Sequence, residues 1–155
     1  MRSLLVGFAL LAVVPATVAS AQANPFLGTW KQDVSKWKGT PGAAPKSVTV
    51  KMEQAGAMFK VTVSGTGSDD KPISQNYSMA YDGKDYPFSG SADYDMVSAK
   101  MLDATTRHTV RKKGGKEVQT VHSVLSKDGK HYTATTSGVN AKGEKVQTTA
   151  TYDRQ

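Results

Sequence analysis

Apolar and polar side chains alternate at every second residue over most of the chain, the pattern of half-buried β-strands. Val48, Val50 and Met52 alternate with Thr49, Lys51 and Glu53, and Phe59, Val61 and Val63 with Lys60 and Thr62. Tyr77, Met79 and Tyr81 alternate with Asn76, Ser78 and Ala80, and Val97, Ala99 and Met101 with Ser98 and Lys100. Strand-like runs continue over 106–112, 116–125, 131–137 and 146–152, and Gly28-Thr29-Trp30 heads another. Thr, Val and Tyr dominate these runs, because branched and aromatic side chains suit a pleated surface. The pattern predicts about nine strands, and no segment after residue 23 holds a helical period over two turns.

Glycines punctuate the runs. Asp82-Gly83, Gly114-Gly115, Asp128-Gly129 and Lys142-Gly143 each fall between two of them, where glycine supplies the positive φ of a tight hairpin. The Pro- and Gly-rich stretch Gly39–Pro45 reads as a loop, and Asp33–Trp37 before it as a short turn or one-turn helix. Hairpins between neighbours all the way to the C-terminus predict an up-and-down meander. A meander leaves two open edges unless it closes on itself. The expected fold is all-β, a single antiparallel up-and-down barrel of eight to ten strands, although alternation alone also fits a sandwich. Such an interior is either filled by side chains or encloses one small ligand.

The first residues have a different texture. Arg2 precedes the apolar run Leu4–Val14, and Ala19-Ser20-Ala21 and Ala21-Gln22-Ala23 offer small residues at the spacing a signal peptidase reads. Residues 1–23 are therefore expected to be a removable signal peptide, with 24–155 the barrel domain of a periplasmic or secreted protein. The run is short for a bilayer span, and no second one follows, so no transmembrane segment is expected. The chain has no cysteine, so neither a disulfide nor a lipidated cysteine contributes. The formal net charge is +7, spread along the chain and interleaved with acids. The one tight basic cluster, Arg111-Lys112-Lys113 with Lys116, sits at a hairpin without interleaved aromatics, so nucleic acid is not an expected partner.

Longer motifs carry a resemblance. Phe26-Leu27-Gly28-Thr29-Trp30-Lys31, the Asp33/Ser35/Lys36 trio and Pro45-Lys46-Ser47 resemble the opening of small exported bacterial lipocalin-like domains. Asp70-Lys71-Pro72, Tyr81–Pro87, Lys112–Lys116 and Ser126–Lys130 extend the likeness over nearly all of residues 24–155. The resemblance implies a calycin-like barrel with a central cavity, generally linked to small apolar molecules. It also implies that the tryptophan of the Gly-x-Trp motif closes the barrel floor beneath a basic side chain from the last strand. Gly28, Trp30 and Arg154 would take those structural roles here, the last through a cation–π contact.

No catalytic constellation is apparent. Gly-x-Ser-x-Gly is absent, the pairs Asp69/Asp70 and Asp93/Asp95 sit in turn-like settings, and no glycine-rich loop leads into a helix. His108, His122 and His131 are the only histidines, and none lies two residues from another to share a strand face. Hairpin pairing would bring His108 near His122, with Glu117 as the sole nearby carboxylate. No enzyme activity, metal or cofactor is expected.

Two registers are open to the 106–125 hairpin. With Gly114-Gly115 as a two-residue turn, Lys113 opposes Lys116, Arg111 opposes Val118 and Arg107 opposes His122. Val118, Thr120, His122 and Val124 then share the face of both arginines. With a three-residue loop, Val110 opposes Val118 and the arginines face solvent, the simpler arrangement because it makes no demand on the interior. In the next hairpin, Gly129 in the left-handed region places Val124 opposite Tyr132 and His122 opposite Ala134. The first register builds a polar corner of Arg107, Arg111, His122 and Tyr132, the candidate ligand-binding residues. Intracellular lipid-binding barrels hold a fatty-acid carboxylate with chemically similar arginine and tyrosine groups. Arginines buried in this way need an anion.

The expected function is binding of a small apolar or anionic amphipathic molecule inside the barrel of an exported protein. The alternative is a non-enzymatic structural or interaction domain of the cell envelope, with a filled core and a basic surface.

Overall fold

The structure is a computed structural model that describes residues 24–155; the expected signal peptide, 1–23, lies outside the described residues. Ten strands follow in order: β1 (Gly28–Lys38), β2 (Ser47–Ala55), β3 (Met58–Thr66), β4 (Pro72–Met79), β5 (Tyr86–Ser89), β6 (Met96–Met101), β7 (Thr106–Lys113), β8 (Lys116–Leu125), β9 (His131–Val139) and β10 (Lys145–Arg154). Every pairing is antiparallel between chain neighbours, and β1 pairs with β10 to close the barrel. Closure is the physical answer to a long meander, because it leaves no strand edge unpaired. Among the described residues there is no helix.

Two stretches differ from the sequence reading. Asp33–Trp37 is not a helical turn but a bulged continuation of β1: from Asp33 to Lys38 the strand passes only from Thr151 to Thr149 of β10. The Asp33 carboxylate accepts bonds from the Ser35 backbone N–H at 3.1 Å and the Ser35 hydroxyl at 2.6 Å, which gathers the surplus residues without breaking the strand. The other difference is β5, which brings the strands to ten. It is four residues long, contains Pro87, and meets each neighbour at only two positions. A proline cannot donate to a ladder, so neither its length nor its pattern announces a strand.

The core gathers at the end where β1 begins and β10 finishes. Phe26, Trp30, Met52, Val61, Met79, Leu125 and Tyr132 are buried there. Trp30 is 1% exposed, and its indole N–H donates to the Phe26 carbonyl at 2.9 Å. Arg154 lies across the ring with its guanidinium carbon 4.1 Å from the centroid. Its three nitrogens donate to the carbonyls of Gly129, Leu27 and Pro25 at 2.8, 2.6 and 2.8 Å. Gly28, at φ +122°, leaves that space open, since a Cβ there would stand 2.9 Å from the Arg154 guanidinium. Gly28, Trp30 and Arg154 thus meet at one end of the barrel.

Candidate ligand-binding site

The hairpin β7–β8 follows neither simple register. Gly114 and Gly115 both have positive φ, 54° and 79°, and form a two-residue turn with Lys113 opposite Lys116. Lys112 then faces Glu117, but Arg111 faces Gln119, so Val118 is an extra residue in β8. Such a bulge exchanges the two faces of everything beyond it. Arg107 and Arg111 point inward, as in the two-residue register, and the arrangement with both arginines in solvent and Val110 inside does not occur. On β8 it is Gln119, Val121, Ser123 and Leu125 that turn inward, rather than Thr120, His122 and Val124.

His122 therefore leaves the site. It is exposed and paired with His108 on the outer wall, opposite Thr135 rather than Ala134. The next hairpin is also one residue from expectation: Leu125, not Val124, opposes Tyr132. Ser126 bonds back to His131 across a four-residue loop with Gly129 at φ +68°, which fixes that even spacing. The displacement places an apolar leucine rather than an imidazole inside, where burial favours it. His131 pairs instead with Asp153, Nδ1 to carboxylate 2.7 Å. Among the described residues no three metal-ligating side chains converge.

Arg107, Arg111 and Tyr132 line one cavity of about 260 Å³ between the strands. The interior is therefore not filled by side chains. Its floor is aromatic: the Tyr132 ring stands edge-on to Trp30 at 4.9 Å and to Phe26 at 5.7 Å, and stacks on Tyr152 at 4.6 Å. The walls carry Val48, Val50, Val63, Ile73 and Val121, with polar groups from Gln32, Gln75, Ser123 and Thr136. Trp37, swung to the rim by the β1 bulge, lines the mouth.

Arg107 is the deeper arginine, 9% exposed, with its guanidinium carbon 4.6 Å from the Phe26 ring centroid. Its polar contacts are thin. Nη1 donates to the Tyr81 hydroxyl and Nη2 to the Ser123 hydroxyl, each at 3.4 Å, and Nη1 lies 3.9 Å from the Met52 sulfur. Its Nε–H has no protein partner among the described residues. Arg111 sits nearer the mouth, over Tyr94 at 4.6 Å, and donates to the Gln119 side-chain carbonyl at 3.1 Å. Gln119 is in turn anchored on the Val139 carbonyl at 3.1 Å. No Asp or Glu lines the cavity, and among the described residues neither arginine joins an ion pair.

Burial fixes the protonation of the neighbouring phenols. It pushes Tyr152 up to about 12, raises Tyr77, and holds Tyr132 well above the usual tyrosine range. All three are neutral hydroxyls at physiological pH. The lining thus offers two guanidinium cations and phenolic O–H groups, with no resident anion. Gln32, Tyr77, Ser123 and Tyr152 were not singled out from the sequence, although strand parity held a signal: if Trp30 faces in, so does Gln32.

No protein-family model matches the chain, and no characterised protein matches it in sequence. In three dimensions it is similar to the zebrafish ileal bile acid-binding protein solved with cholic acid. That overlay has a TM-score of 0.52 at 11% identity and covers 84% of this chain and 99% of that one. It also overlays on mFAP1, a redesigned β-barrel bound to DFHBI, with a TM-score of 0.46 at 14% identity over 87% of this chain and 100% of that one. The likeness to the zebrafish barrel is one of fold, and with the closed ten-strand ladder it makes this chain an antiparallel calycin-like barrel.

Proposed function

We propose that the barrel binds a small amphipathic molecule whose anionic group seats on Arg107, with Arg111 as a second cation nearer the mouth. The observation that carries this is the deep guanidinium with no carboxylate beside it and one N–H unpartnered. A charge withdrawn from water without a counter-charge is costly by several kcal/mol, so an anionic occupant is what the site is built to favour. The zebrafish barrel's cholic acid is itself a carboxylic acid, but that comparison supports the reading only by analogy of fold. A cavity of about 260 Å³ falls below the roughly 300–1,000 Å³ of drug-sized pockets. The occupant is therefore compact, or leaves an apolar tail in the mouth beside Trp37.

Octanoate and 1-octanol separate charge from tail in one calorimetric titration. Octanoate is expected to bind at least tenfold more tightly, a gap that disappears in Arg107→Met. Equal affinity for the acid and the alcohol sinks the reading.

We propose further that the protein works outside the cytoplasm. The basic start at Arg2, the apolar run Leu4–Val14 and the small residues ending at Ala23 support this. Protein recovered from the host's envelope fraction should have a mass that begins at Asn24. A full-length chain confined to the cytosol would count against export.

A further inference from the structure

Among the described residues, two buried side-chain polar atoms have no protein hydrogen-bond partner: Arg107 Nε and Gln32 Nε2. Both are N–H donors, and both residues line the same cavity. Orphan donors are uncommon in a folded interior because their desolvation goes uncompensated, and two of them on residues that line one cavity set these walls apart from ordinary packing. Gln32 is 6% exposed on β1, two residues beyond Trp30 and on the same inward face, and is paired across the ladder with Tyr152. Packing alone asks for no amide there, since its neighbours on the floor are aromatic. The donors also approach from different walls: β10, β9 and β8 separate β1 from β7 around the barrel. They thus face the cavity from different sides, and a ligand that answers both carries two polar groups.

We infer that Gln32 is a second recognition point, and that the ligand is a small carboxylic acid carrying a further oxygen acceptor, such as a hydroxyl, carbonyl or second carboxylate, away from the first. This rests on Arg107 as the anion anchor. At roughly 30 Å³ per water, the cavity of about 260 Å³ has the room of about nine waters, which suits a hydroxylated acid of some ten heavy atoms. The amide recognises polarity at that spot rather than supplying charge. Its removal changes which acids are preferred, not whether acids bind.

Benzoate and its 2-, 3- and 4-hydroxy isomers test this by calorimetry, since they share the carboxylate and differ in where the second oxygen lies. In the wild type at least one isomer should bind tenfold or more tightly than benzoate. Gln32→Leu should erase that preference while leaving benzoate within about twofold, and Gln32→Met serves as the second variant if leucine impairs folding. If no isomer exceeds benzoate, or the preference survives in the variants, the Gln32 amide takes no part in recognition and the inference is overturned, with the Arg107 reading intact. Failure of benzoate and octanoate alike to bind the wild type overturns the anchor itself, and the inference with it.

Discussion

Arg154 and Arg107 lie on opposite sides of the same aromatic floor. Each rests on a ring, at 4.1 Å from Trp30 and 4.6 Å from Phe26, and Tyr132 stands edge-on to both rings between them. Their cation–π contacts are alike, yet their hydrogen bonding is not. The outer guanidinium spends its donors on three backbone carbonyls at 2.6 to 2.8 Å, at an exposed position. The inner one reaches two hydroxyls at 3.4 Å and leaves Nε unanswered, sealed from solvent. Completeness of bonding, not residue type or ring contact, separates the arginine that fastens the barrel from the one left with an unanswered donor.

The contrast can be broken by giving both positions the same uncharged side chain. Arg154→Met removes charge-assisted bonds to three carbonyls and the cover over Trp30, so the folded state should lose about 2 kcal/mol in urea unfolding. Octanoate affinity of the protein that remains folded should not change. Arg107→Met removes a buried charge without a counter-ion and leaves methionine among Phe26 and Met52, so stability should rise by about 1 kcal/mol. Octanoate affinity should then collapse, in the opposite sense to stability. Two variants that destabilise equally would make Arg107 a structural clamp like Arg154.

This difference also marks where the sequence stops being readable. The barrel was legible because alternation is imposed by one buried face and glycines mark the turns, as at Gly114-Gly115. Trp30 and Arg154 were legible because their partners are local or terminal, and their chemistry does not depend on a distant register. Which β8 side chains accompany Arg107 was not legible, because that depends on a single extra residue, Val118, whose bulge exchanges the faces of β8 from Gln119 onward. That residue brought Ser123 in beneath Arg107 and sent His122 out. Gln32 was hidden for a different reason: one inward polar residue in a run reads as an outward one until parity with Trp30 is enforced. β5 escaped because four residues containing Pro87 carry too little pattern to register as a strand.

The mouth offers the mildest test of the same distinction, because its bonds are made in water. The bulge that brings Trp37 to the rim is held at Asp33, whose carboxylate is bonded by Ser35 and lies 2.9 Å from Lys36 Nζ. The Ser35 side-chain bond, and next the bond from Lys36, lower that carboxyl from 3.8 to about 2. A carboxyl held low in the folded state contributes stability that is present above its unfolded value and disappears as pH falls through the folded one. The wild type should therefore hold a small advantage in thermal midpoint over Asp33→Ala at pH 5, shrinking below pH 4 by the part that depends on ionisation, with that part lost as pH falls through about 2. Solvent screening keeps this effect below that of either arginine, and octanoate affinity at neutral pH should barely move. An advantage that stays constant down to pH 1.5 would mean that the bulge is held by packing of Trp37 rather than by the charge at Asp33. A large loss of octanoate binding in Asp33→Ala would mean that the rim, and not the inner arginine, does the selecting.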